Sequence, residues 1–194
     1  MPPGTQAADK TYDGTTVASL SGATLSGILG SDNVVLGNDS SGAFSDKNVG
    51  TGKGVTTAMT LNGTDMGNYA LAQPAGITAS IGQKAITVAA SGTDKIYDGA
   101  VTDQVLLSSA GVLAGDAVTF ADGSSTFADK NVGSGKTVAV SSISLSGADA
   151  GNYSYNTSTT TSASITPKAA VVTATGVNKV YDGTTADAGA TLAV

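Results

Sequence analysis

Apolar and polar residues alternate in short runs along this chain, and Gly, Asn, Asp or Ser interrupts the pattern every few positions. No stretch of a dozen residues carries apolar side chains at i, i+3, i+4 and i+7, so amphipathic helices are not expected. Short β-rich runs between turn-forming clusters predict an all-β protein. Residues 85–90 and 169–174 read as strands, and residues 117–120 alternate so that Val118 and Phe120 share a face. Val138 and Val140 alternate, then Ile143 and Leu145 do so with the opposite parity, which predicts a bulge or a turn between them. The Thr- and Ser-rich residues 153–165 read as an extended, half-exposed strand, and residues 27–30 and 111–114 suit a single helical turn at most.

These runs recur in order. Lys10-Thr11-Tyr12-Asp13-Gly14 returns as Lys95-Ile96-Tyr97-Asp98-Gly99 and as Lys179-Val180-Tyr181-Asp182-Gly183, with the tyrosines 85 and 84 residues apart. Asp46-Lys47-Asn48-Val49-Gly50 returns as Asp129-Lys130-Asn131-Val132-Gly133, each followed by Thr or Ser and then Gly-Lys. Leu61 to Tyr69, containing Gly67 and Asn68, matches Leu145 to Tyr153, containing Gly151 and Asn152. Ile81-Gly82-Gln83-Lys84 matches Ile165-Thr166-Pro167-Lys168. In Tyr-Asp-Gly the strand runs into a turn, since Asp bonds nearby backbone and Gly accepts positive φ. The Asp-Lys-Asn-Val-Gly stretch is a second polar corner. Gly-Asn-Tyr ends one strand and opens the next, with the Tyr ring packed and its hydroxyl seeking a partner.

The repeating unit is about 84 residues long, a complete small domain rather than one turn of a solenoid. The expected division is residues 1–82, a first repeat beginning late and lacking its opening strand; 83–167, a second, complete repeat; and 168–194, the truncated start of a third. Each unit is expected to fold as a β-sandwich-like domain of six or seven short strands. The units should form an elongated string joined by short linkers near 81–84 and 165–168, the second stiffened by Pro167. A β-grasp-like unit is the alternative.

Composition narrows the chemistry. The 194 residues include no Cys, His, Trp, Arg or Glu; all fifteen acids are Asp and all nine bases are Lys. Without His and Cys the usual general bases, thiolate nucleophiles and zinc ligands are missing. A formal charge of −6 argues against nucleic acid and against anionic membrane surfaces. No apolar run approaches the ~18 residues that span a bilayer. The absence of Cys suits a large bacterial protein exported unfolded, and Met1-Pro2-Pro3 reads as the start of an excised piece of something longer.

The motifs Lys-x-Tyr-Asp-Gly, Asp-Lys-Asn-Val-Gly-x-Gly-Lys, Gly-x-Asp-x-Gly-Asn-Tyr and Ile-Thr-Pro-Lys resemble the YDG-type repeat, related to MBG repeats, of bacterial filamentous-haemagglutinin-like adhesins. The resemblance covers essentially the whole chain. It implies a very long protein, secreted or attached to the bacterial cell surface, in which such repeats form a stalk and carry no catalytic residues. The implied partners are neighbouring repeats of the same chain, with host or cell-surface ligands bound through other regions. Direct binding of a glycan or host protein by the repeats themselves is the alternative, disfavoured by the lack of Trp.

Calcium would find oxygen ligands at Asp116, Asp122 and Asp129, or at Asp32, Asp39 and Asp46. These aspartates are scattered beside Gly and Asn, as turn residues are, and no cofactor is expected. An intramolecular Lys–Asn isopeptide bond would draw on Lys95, Asn131, Asn152 and Asp98, residues that read instead as solvated or capping turn residues. No pair of carboxylates is marked out for hydrolysis, and Gly50-Thr51-Gly52-Lys53 lacks the rest of a phosphate loop. An enzyme is not expected.

Overall fold

The structure is a computed structural model that describes residues 4–185 and the backbone of 191–193. It is all-β, with two tandem repeats whose sheets curl into half-barrels. The first repeat contains β1 (Gln6–Ala7), β2 (Lys10–Thr11), β3 (Val17–Ser21), β4 (Val35–Gly37), β5 (Ser41–Phe44), β6 (Gly50–Thr57), β7 (Thr60–Asn62) and β8 (Thr78–Gly82). Six of these form one sheet in the order β1-β3-β5-β6-β8-β2, and β4 and β7 pair as a small second layer. The second repeat contains β9 (Lys84–Ala85), β10 (Ala89–Gly92), β11 (Lys95–Ile96), β12 (Val105–Ser108), β13 (Thr119–Ala121), β14 (Ser124–Phe127), β15 (Gly133–Ser141), β16 (Ser144–Ser146), β17 (Tyr153–Ser154) and β18 (Ser158–Thr166). Its main sheet runs β11-β18-β15-β14, and β10 pairs with β12, β13 with β16 and β17 with β9. Beyond it, β19 (Thr173–Thr175) pairs antiparallel with β20 (Thr191–Ala193).

Strands are more numerous than the six or seven expected, because turns and changes of partner divide long runs. Residues 85–90 are the clearest case. They do not form one strand: β9 pairs with β17 and β10 with β12, and the chain crosses between layers at Ile86 and Val88, both buried. At this crossing Ile86 N–H donates to Ser154 and Val88 N–H to the Asn156 side chain, so the backbone stays satisfied. The parity shift after Val140 is a turn, with Ser142 in the left-handed region at φ 55°. Residues 169–174 yield only the start of β19. Residues 27–30 and 111–114 form no helix; the only helical turns among the described residues are 3-10 turns at Met66–Asn68 and Ala150–Asn152, inside Gly-Asn-Tyr motifs read as bare strand junctions.

The core follows the alternation. In β15, Val138 and Val140 point inwards, facing Phe127, Ala163 and Ile165. In the first repeat Ala18, Leu20, Phe44, Val55, Ala79 and Ile81 do the same. The first core does not stop at the repeat boundary: its apolar cluster runs on through Ile86 and Tyr153 of the second repeat.

The candidate functional site is the joint between repeats

Two local devices shape the ends of each repeat. The first is the Lys-x-Tyr-Asp-Gly turn. Asp13 accepts the Thr15 N–H at 2.9 Å, Gly14 sits at φ 77°, and the Lys10 ammonium folds back onto Asp13 (2.8 Å), the Thr15 carbonyl (2.8 Å) and the Val17 carbonyl (2.9 Å). Lys95 repeats this on Asp98, Ala100 and Thr102, and Lys179 bonds Asp182 and Thr184. Gly99 and Gly183 share the positive φ of Gly14, while Tyr181 stands almost wholly in solvent. Lys95 is therefore occupied within its own turn and meets neither Asn131 nor Asn152, the partners an isopeptide bond requires. The same economy holds at the second corner, where Asp46 takes the Asn48 N–H and Lys53, and Asp129 takes the Asn131 N–H and Lys136.

The second device is the Gly-x-Asp-x-Gly-Asn-Tyr corner. Gly147 lies at φ 114°, and a Cβ there would stand 2.2 Å from the Ala117 carbonyl oxygen, so only glycine fits. This close approach lets Asp149 accept the Ala117 N–H at 2.9 Å and return its own N–H to the Ala117 carbonyl at 3.2 Å. The following 3-10 turn delivers Tyr153, whose hydroxyl accepts the Leu113 N–H at 3.0 Å and donates to Asp116 at 2.6 Å.

These two devices meet at the boundary between repeats. The Tyr12 hydroxyl of the first repeat donates to Asp116 of the second at 2.8 Å, on the same carboxylate oxygen that Tyr153 uses. The two rings meet edge to face, 5.6 Å apart at 78°, an attractive arrangement. Lys47 bridges Asp116 at 3.0 Å and Asp149 at 2.9 Å and lies 5.8 Å over the Tyr12 ring. Beside them the Val49 N–H donates to Asn152, and Asn152 donates to Asn48. Gln83, in the stretch expected to be a linker, donates to the Gly151 and Tyr153 carbonyls. The boundary is thus a packed, hydrogen-bonded joint in place of the short linker expected near 81–84.

Electrostatics agree. Burial pushes the Asp116 carboxyl up, but the hydrogen bonds from Tyr153, Lys47 and Tyr12 outweigh it and hold the group below its ordinary range. Tyr153 is pushed up to about 12 by burial and then by the carboxylate it donates to. Lys47 is raised well above its usual value by Asp149 first, then Asp116 and Tyr12. At neutral pH the joint is two carboxylates, two neutral hydroxyls and one cation shared between the carboxylates.

The sequence-derived residues therefore fall into two groups. Tyr12, Asn48, Asn152, Tyr153 and Asp116 come together at the joint, with Gly14 close against Leu113. Their counterparts Tyr97, Asn131, Asn68, Tyr69 and Asp32 lie at the outer ends. The calcium candidates are not brought together: Asp116 is engaged by two tyrosines and a lysine, Asp129 by Lys136, and no group of three or more acidic side chains able to hold a metal ion occurs among the described residues. Lys47 and Asp149 were missed as a pair. Their signal was that both stand in repeated motifs, Lys47 next to Asn48 and Asp149 three residues before Asn152.

Fold and joint together define a tandem-repeat β-protein whose repeats are fastened end to end by a dedicated polar interface. A family model for the YDG domain matches residues 1–76 and again 82–162, and the chain belongs to that family. No curated protein and no solved structure matches.

Proposed function

We propose that this chain is a stalk segment of a large secreted bacterial surface adhesin, in which joined repeats hold an adhesive region away from the cell. The observation that carries this reading is the Tyr12–Asp116–Lys47 joint. It spends the polar side chains of both motifs on holding one repeat against the next, and each repeat carries both halves of it. Such a joint serves length and stiffness, in keeping with nearest-neighbour coupling in repeat arrays. A cavity of about 550 Å³ beside Lys95 and Asp98 is an open depression between turns.

Small-angle X-ray scattering tests the reading. A rigid two-repeat rod, unchanged by calcium or chelator, is expected. A profile that fits only freely hinged repeats would count against a stalk. Binding of the chain by itself to a glycan array or to cells would favour the adhesin's ligand-binding alternative.

A further inference from the structure

Each repeat carries both halves of the joint, so one half of each kind faces outward at the ends of the pair. On the first repeat the outer face already has the joint's geometry. The Tyr69 hydroxyl accepts the Leu29 N–H at 3.0 Å and donates to Asp32 at 2.7 Å, while Asp65 accepts the Asn33 N–H at 2.8 Å. These match Tyr153, Leu113, Asp116, Asp149 and Ala117 bond for bond. What differs is cover: Asn152 is 4% exposed at the joint, whereas Asn68, Asp32 and Leu29 are exposed. On the second repeat the opposite face presents Tyr97, Lys130, Asn131 and Val132, the counterparts of Tyr12, Lys47, Asn48 and Val49. Among the described residues the Tyr97 hydroxyl and Lys130 ammonium have no partner.

An apolar groove lies beside the outer acidic face. In the joint, Ile86 sits so close to Gly111 that a Cβ there would be 2.7 Å from it; at the matching Gly27 nothing lies within 4 Å. A groove of about 220 Å³ opens there, lined by Leu25, Ile28, Leu61, Tyr69 and Leu71.

We propose that a second copy of this chain docks its Tyr97–Lys130–Asn131 face on the Asp32–Asp65–Tyr69 face of the first, reproducing the internal joint between molecules. The charges are complementary, one ammonium against two carboxylates, as in the Lys47 bridge. The segment Lys168-Ala169-Ala170 stands to the second repeat as Lys84-Ala85-Ile86 stands to the first, and it enters the groove beside Tyr69 as β9 enters beside Tyr153. Because the two faces are different surfaces, the contact is heterologous, and successive copies build an open filament instead of a closed dimer.

The test uses analytical ultracentrifugation of the full chain up to about 1 mM, the effective concentration a tether gives the internal joint. Wild type should give a concentration-dependent ladder. Lys130→Glu removes one face and Asp32→Ala with Asp65→Ala removes the other, so each variant alone should associate at least tenfold more weakly. Mixed, they should form a dimer and nothing larger, since one intact face of each kind remains; this outcome also shows that both variants are folded. A wild type monomeric throughout, or a Lys130→Glu chain that assembles as wild type does, overturns the proposal. Either result leaves the stalk reading standing, because that reading is judged by scattering from the single molecule.

Discussion

Replacing Asp116 by Leu should separate the two repeats. The substitution removes the charge and the acceptor for both tyrosine hydroxyls, which lie on side chains 1% and 2% exposed. A buried donor left without a partner costs about 1–3 kcal/mol, so the two together cost about 2–6 kcal/mol. With a urea slope of about 2 kcal/mol/M, the midpoint should fall by about 1–3 M. Tyrosine fluorescence and far-UV circular dichroism read the change, as the chain has six Tyr and no Trp. Wild type is expected to unfold in one transition, and Asp116→Leu in two, because loss of the interface uncouples neighbouring repeats. Asp116→Asn should fall between them: its amide oxygen still serves the tyrosines and only the Lys47 contact is lost. The internal control is Asp32→Leu, the same change on the exposed outer face, where water takes over the Tyr69 hydroxyl; its midpoint should not move. Equal shifts for Asp116→Leu and Asp32→Leu would refute the reasoning, because burial at the joint would then contribute nothing.

Three more outcomes are expected. Gly147→Ala should destabilise by about 3 kcal/mol or more in the same urea assay, since its Cβ would collide with the Ala117 carbonyl, whereas Gly151→Ala, with open space around it, should be neutral. Lys95→Met strips the ammonium from the Ala100 and Thr102 carbonyls and should cost about 1 kcal/mol, with faster amide exchange at Ala100. The pH profile of the urea midpoint should be flat from about 5 to 9. Asp116 has a lowered folded pKa, so its contribution is present above the unfolded value of about 3.9 and is lost as pH falls through the folded one. Tyr153 has a raised pKa, so its contribution is present below about 10 and is lost as pH rises through about 12. A wild-type advantage over Asp116→Leu that persists undiminished at pH 2 would contradict this sign.

The repeat, the all-β class and the turn chemistry were legible because they depend on neighbours in sequence. Asp13 bonds the residue two places on, and Gly14 announces its positive φ. The joint was not legible, because Tyr12 and Asp116 lie 104 residues apart and Lys47 and Asp116 lie 69 apart. Repetition itself also conceals it. Lys47 and Lys130 stand in the same motif, yet one bridges two half-buried carboxylates and the other faces solvent. Asp116, considered for calcium, illustrates the ambiguity of a carboxylate: oxygen ligands for a metal and acceptors for tyrosine hydroxyls are the same atoms, and only the fold decides which partner arrives. The crossing at Ile86 and Val88 escaped for a different reason, since a buried run reads as one strand whether or not it changes sheets midway.

The strand pairing at the ends of each repeat has a mechanical consequence. β2 lies parallel to β8, with Lys10 opposite Ile81 and Thr11 opposite Gly82, and the Tyr12 N–H and the Asp9 side chain extend the ladder on either side. β11 and β18 repeat the pattern with Lys95 opposite Ile165. Tension on the chain pulls the opening strand backwards and the closing strand forwards along a common axis. The bonds between parallel strands are then loaded in shear, all at once, whereas a hairpin pulled open from its end gives up its bonds in turn. A pull on the two ends of a repeat would therefore strain it in the direction in which it yields least readily.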